Sequence, residues 1–198
     1  MKNTLLKFVS FNLVFLSAAI QAEEARTNLD AHVHGVSELM VVAEENALEI
    51  QFKSPAMNLV GFEHQAKSSK DLKAVDKAAS TLRQPEALFL MSDAHCKLIN
   101  MSVDLSKIID IDHQDNDHDR SSSNHKHEHN DNGKHHDENH SEIMVTYKYH
   151  CQDSTSLPSI TVNLFEFFTG IEEINTMWIN QTGQGGITLR HNNRTINF

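Results

Sequence analysis

The chain has 198 residues, 17 of them basic and 27 acidic, for a formal charge of −10 with histidine neutral. That length accommodates one ordinary domain with a buried core. The acidic balance argues against nucleic acid or an anionic membrane surface as a partner and suits cations instead.

The opening stretch "MKNTLLKFVSFNLVFLSAAIQA" places Lys2 and Lys7 ahead of an apolar run from Phe8 to Leu16, followed by small residues. This is the order of a secretory signal peptide, residues 1–22, with cleavage expected after Ala22. The apolar run is far short of the ~20 residues a membrane span needs, and no later segment reads as a span, so no membrane insertion is expected after cleavage. Cleavage would carry off Lys2 and Lys7 and move the formal charge from −10 to −12. Residues 23–198 are then read as a single domain.

After a short polar lead, Leu39 and Val41 alternate with Met40 and Val42, "AEEN" turns, and Leu48, Ile50 and Phe52 alternate with Glu49, Gln51 and Lys53. This period-2 polarity predicts a β-hairpin with one buried face. Pro55 stops the second strand and Gly61 permits a turn. "SSKDLKAVDKAASTLRQ" is the one convincing helix. Ser68 or Ser69 can cap it and Asp71 suits its first turn. Leu72, Val75, Ala79 and Leu82 fall at helical spacing, and Pro85 marks the far boundary. "EALFLMSD" fits either an extension of that helix or a new strand.

Strand-like sequence resumes from Cys96 to Leu105 and again from residue 143 to Cys151. The C-terminal third reads as short antiparallel strands, "SITVNLF", "IEEINTMWINQ", "GITLR" and "RTINF", with turns at "TGQGG" and "HNN". Phe165, Phe167, Phe168 and Trp178 are most economically core. The expected fold class is α+β, mostly antiparallel β-strands with one main helix.

Composition changes abruptly between the two central strands. Residues 110–142 hold eight histidines, ten acidic residues and three basic ones, with Ile111 the only aliphatic side chain. Such a segment cannot bury enough apolar area to offset the ordering of its backbone, so a long disordered insertion is expected at a hairpin tip. Cys96 and Cys151 flank it, and an even pair in an exported protein reads as a disulfide. Closing a loop of that length is worth about 4 kcal/mol in the chain-entropy model.

Zinc sites are built from imidazole, thiolate and carboxylate, and histidine-rich tracts are a compositional sign of metal binding. His125, His127 and His129 alternate with Lys126 and Glu128, so an extended chain presents all three imidazoles on one side. His135, His136 and His140, with Asp137 and Glu138, form a second group, and His113 and His118 a looser third. Imidazole serves zinc, copper and nickel alike, and the lack of methionine and cysteine in the tract disfavours Cu(I). Ordering the loop weakens each site, which suits exchangeable capture of several ions. Histidine titrates near pH 6.5, so capacity should fall as the pH drops through about 6. The plainer alternative is a solvated polar loop with an excess of histidine.

A second candidate group starts at "HVHG", where His32 and His34 are two apart. His64 of "GFEH" is a candidate third ligand, with Glu63 or Asp30 as oxygen donors. His95 and His150 flank the cysteines, and a disulfide would bring them near each other. Surface or hydrogen-bonded histidines are the bland alternative for all of these. Enzyme signatures are missing: there is no G-x-S-x-G, no H-E-x-x-H and no phosphate-cradling glycine loop. No enzyme is expected.

"HVHGVSELMVV", "LEIQFKSPAMNLVGFEHQA", the single helix, "HCKL", the histidine-rich insertion and "GQGGITL" together resemble the bacterial periplasmic ZrgA family, over essentially the whole mature chain. The resemblance implies a zinc-repressed protein of the Gram-negative periplasm that binds several Zn2+ ions through its histidine-rich region. It also implies a role in import, alongside an ABC-type zinc transporter and its periplasmic binding protein. Carried over here, it puts zinc on His125, His127, His129, His135, His136 and His140, with His113 and His118 as extras. The expected function is therefore periplasmic zinc binding in support of uptake. A general buffer against excess zinc, copper or nickel is the alternative. A protein-docking module with an incidental loop, and an enzyme with zinc at "HVHG" and His64, are the readings from other classes.

Overall fold

A computed structural model describes residues 33–91, 95–109, 141–152 and 157–198. The expected signal peptide and the interior of the histidine-rich insertion lie outside the described residues.

Strand β1 (Val36–Glu44) and strand β2 (Ala47–Pro55) form the expected hairpin, paired antiparallel from Glu44↔Ala47 to Glu38↔Lys53. Glu45, at a left-handed φ of 47°, and Asn46 make the turn between them. Alternation sends Leu39, Val41 and Ala43 from one strand, and Leu48, Ile50 and Phe52 from the other, into the core. Strand β5 (Glu142–Cys151) pairs with β2 and adds Ile143, Val145 and Tyr147, and strand β4 (Cys96–Asp104) pairs with β5. On the other side, strand β7 (Glu173–Asn180) pairs with β1 and strand β8 (Gly183–Leu189) with β7. The six-stranded order is β4-β5-β2-β1-β7-β8.

The β1–β7 pair is parallel, which corrects the all-antiparallel reading of the C-terminal strands. Period-2 polarity marks which side chains are buried and is the same for both directions of pairing. A parallel neighbour needs a long crossover, and here everything between β2 and β7 supplies one.

Helix α2 (Ser69–Leu82) is the main helix, and its cap is Ser68. The Ser68 hydroxyl accepts the Asp71 N–H at 3.1 Å, and the Asp71 carboxylate accepts the Ser68 N–H at 3.4 Å, a reciprocal capping box. Its buried stripe is Val75, Ala78, Ala79 and Leu82, whereas Leu72 is 40% exposed: the first turn is held by its cap and not by packing. Three helices of four or five residues are too short to show a helical period: α1 (Ala56–Val60), α3 (Pro85–Leu88) and α4 (Leu164–Phe167). "EALFLMSD" is thus neither of the two expected choices alone. Pro85 opens the one-turn α3, and strand β3 (Phe89–Met91) follows at once.

Strand β3, strand β6 (Ser159–Val162) and strand β9 (Thr195–Asn197) make a second, antiparallel sheet in the order β3-β6-β9. Tyr147 joins the layers. Its hydroxyl donates to the Leu82 carbonyl at 2.7 Å, and its ring meets Phe89 edge-on at 5.4 Å. Burial pushes its phenol well above the ordinary tyrosine range. Each fully buried Leu, Ile or Phe of this core contributes ~1.5–3 kcal/mol.

Two further expectations are corrected near the C-terminus. "SITVNLF" is a strand only to Val162, and the helical turn of α4 puts Phe165 and Phe168 inside while Phe167 is 47% exposed. "TGQGG" is mostly strand, because β8 starts at Gly183. Gly185 stands opposite Trp178, and a β-carbon there would fall 2.6 Å from the indole ring. The glycine makes room for the ring to lie over the strand, with Phe198 edge-on to it at 5.6 Å. Among the described residues no helix is long and apolar enough to cross a membrane.

Candidate metal site

His34 and Gly35 lead directly into β1. Gly35 has φ 85°, which a side-chain-bearing residue rarely adopts. Its N–H donates to the Asn58 side-chain oxygen at 2.7 Å, and its carbonyl accepts the N–H groups of Glu172 at 2.7 Å and Glu173 at 3.0 Å. Asn58, on α1, is buried, and its amide group also donates to the Val36 carbonyl at 3.1 Å and to the Ser54 hydroxyl at 3.3 Å. Ser54 and Ser37 close the network at 2.8 Å. A fully satisfied buried network of this kind holds the His34 backbone in one place.

With its backbone fixed, His34 brings Nε2 to within 3.0 Å of Glu63 Oε1; His34 is half exposed and Glu63 mostly covered. Glu63 follows the left-handed cap Gly61 that ends α1. The adjacent His64 turns elsewhere, with Nε2 3.5 Å from Asp71 Oδ2 and its ring stacked on Phe62 at 4.6 Å. Hydrogen bonding to the Ser68 side chain, and then His64, hold the Asp71 carboxyl below its usual range.

The two described histidines of the "HVHG" and "GFEH" group therefore face different carboxylates, His34 on Glu63 and His64 on Asp71. Among the described residues no three histidine, cysteine or acidic side chains already converge as a metal-ligand group. His32 and Asp30 lie outside the described residues, as do His113, His118, His125, His127, His129, His135, His136 and His140.

Both ends of the histidine-rich insertion are described, and both are anchored beside Glu63. On the incoming side, Ile108 is buried, its N–H and that of Ile109 bond the Leu105 carbonyl at 2.9 Å, and its carbonyl accepts the Ala66 N–H at 2.8 Å. On the outgoing side, Ser141 is buried, and its hydroxyl lies 2.6 Å from the Glu63 carbonyl and 2.8 Å from the Lys107 carbonyl. The Ser141 carbonyl accepts the Ala56 N–H at 2.8 Å. Glu142 opens β5 and pairs with Lys53 at 2.8 Å. None of Asn58, Ser141 or Ala66 carried a sequence signal, because their partners are distant in the chain.

Cys96 and Cys151 form the expected disulfide, as directly opposed partners on β4 and β5. It lies at the end of these strands away from the insertion. Eight residues of β4 separate it from the Asp104↔Met144 pair, roughly 25 Å at the usual strand rise. His150 stands opposite Lys97, and His95 precedes Cys96 with φ 41°.

No curated protein matches the chain. A family model described as the ZrgA family zinc uptake protein matches residues 31–198, which takes in β1 with its leading His34, the anchored ends of the insertion and every strand after it. The chain belongs to the ZrgA family of zinc uptake proteins.

Proposed function

We propose that this chain is an exported periplasmic protein that captures several exchangeable Zn2+ ions on its histidine tract and supports their import through an ABC-type transporter. It would pass metal to the periplasmic binding protein or another component of that importer. One observation carries the reading: eight histidines interleaved with carboxylates span two strand ends that the domain holds side by side, with Ser141 against Lys107. Imidazole and carboxylate are zinc donors, and a tethered segment returns bound ions to one place on the domain. Membership in a zinc uptake family favours zinc over copper or nickel and uptake over buffering. The ligands are His125, His127, His129, His135, His136 and His140, with His113 and His118 as extras. No catalytic role is part of this reading.

The test is calorimetry against a competing chelator on the full chain, natural and with those eight histidines replaced by asparagine, together with growth under zinc limitation. The substituted chain should lose most of the bound zinc and fail to support growth. Unchanged stoichiometry and growth would make the tract a spacer and end the reading. Induction by metal excess in place of zinc starvation would turn the function into buffering.

A further inference from the structure

We infer that the free edge of β8 is a pairing surface for a second copy of this chain, joining two six-stranded sheets across a two-fold axis. The inference owes nothing to the histidine tract or to bound metal.

An unpaired edge strand offers a row of N–H and C=O groups to any other strand, and folds blunt such edges with charge, bulges, proline or shortness. Among the described residues four strands lie at sheet edges: β4, β8, β3 and β9. Strands β3 and β9 have three residues each. Strand β4 is longer, but its register slips between Leu98 and Asn100, and it carries Lys97 and Asp104. Strand β8, GQGGITL, has none of these devices. It has seven residues, no charge and no proline, and its register against β7 is unbroken from Asn180↔Gly183 to Ile174↔Leu189. None of its glycines has a left-handed φ, so the strand is regular throughout.

The charge of the chain limits where two copies can touch. At −10 they repel each other over most of their surface. The β8 edge is the uncharged exception. Arg190, the residue after it, donates from Nε to Glu173 Oε1 at 2.9 Å, so that end of the edge is neutral as well.

A two-fold axis at Gly186 pairs all seven residues of β8 with those of the second copy, antiparallel, and the side chains match. Gln184 meets Thr188 of the second copy, and both are uncharged hydrogen-bonding groups. Ile187 meets Gly185 of the second copy, the position over which the Trp178 indole lies. Gly186 meets its own counterpart. Met177, 62% exposed, is the neighbour of Gly186 on β7. The two methionines then flank a glycine trough of three strand spacings, roughly 14 Å, and their flexible side chains can fill it from both sides. An arbitrary extended peptide would gain the main-chain bonds without this matching of large to small on both faces, so a second copy is the occupant.

Sedimentation equilibrium of the exported chain tests this over about 1–500 μM protein, a range that brackets micromolar association. Excess chelator is present so that no ion bridges two tracts. A reversible monomer–dimer equilibrium is expected, with a blue shift of Trp178 emission as the dimer forms. Gln184→Lys with Thr188→Lys sets like charges opposite each other twice and should weaken the dimer at least tenfold. Gln184→Lys with Thr188→Glu sets opposite charges there and should restore association to within about threefold of the natural chain. Asn100→Lys with Ser102→Lys, on the β4 edge, should change it less than twofold. A monomer at every concentration overturns the inference. So does a dimer indifferent to the paired lysines on β8, or one that the Lys–Glu combination fails to restore while circular dichroism is unchanged.

Discussion

The Ser141 hydroxyl stands 2.6 Å from the main-chain carbonyl of Glu63, 78 residues earlier, while the carboxylate of that same glutamate lies 3.0 Å from His34. The outgoing end of the histidine-rich insertion is thereby fastened to the loop that faces the opening of β1. The same hydroxyl lies 2.8 Å from the Lys107 carbonyl on the incoming side, so one proton is shared between two acceptors. Ser141→Ala removes the donor for both at a buried site. A buried carbonyl left without its partner costs about 1–3 kcal/mol, and urea denaturation should show a loss of that size. A midpoint indistinguishable from the natural chain would mean that water replaces the hydroxyl and that the fastening is weak.

The disulfide acts at the other end of the same strand pair. Its 55-residue separation gives a stabilisation of about 4 kcal/mol in the chain-entropy model. Replacing both Cys96 and Cys151 with serine should lower stability by about that amount, measured by denaturation in the absence of reductant. Because the bridge lies roughly 25 Å from the insertion, zinc stoichiometry in the folded double variant should be unchanged. Loss of zinc sites in a still-folded variant would show that the bridge shapes the tract as well as the domain.

Part of the fold is legible in the amino-acid sequence alone, and the reasons differ by element. The β1–β2 hairpin and α2 announce themselves because burial of one face imposes a period of two or 3.6 on the side chains. A metal-binding expectation for the tract needs residue types alone, with no pairing or register to be known. Strand order is another matter: Met40 stands beside Met177 in a parallel pair, and nothing local to either strand encodes the other. Asn58 is opaque for the same reason, since its bonds reach Gly35 and Val36, which lie 23 and 22 residues away. His64 reads as a candidate ligand beside His34, and only the folded arrangement shows that it faces Asp71, which also belongs to the α2 cap.

That cap carries a pH signature. The Asp71 carboxyl lies below its ordinary value of 3.8, first through hydrogen bonding to the Ser68 side chain and then through His64. The folded state thus holds the proton less tightly than the unfolded one. Its contribution is present above the unfolded pKa and is lost as the pH falls through the folded value. Asp71→Asn should therefore lower the melting temperature at pH 7. The gap to the natural chain should begin to shrink below about pH 4 and close once the pH passes beneath the folded pKa. A gap that is constant or widens on acidification would assign the effect to something other than the carboxylate.

Gly185 and Gly183, two residues apart on β8, give a matched pair of substitutions. A β-carbon at Gly185 would fall 2.6 Å from the ring of Trp178, whereas at Gly183 it would meet nothing within 4 Å. Neither has the positive φ that would add backbone strain. Gly185→Ala forces the indole to shift off the strand, and such overpacking typically costs about 1–3 kcal/mol. Gly183→Ala should change stability by far less. Trp178 is the only tryptophan in the chain, so the tryptophan fluorescence reports on the surroundings of this one ring. Gly185→Ala should move the emission maximum of the folded protein and lower its denaturation midpoint together, while Gly183→Ala moves neither. Equal effects from the two variants would mean that the glycines serve the flexibility of β8 and not the seating of the ring.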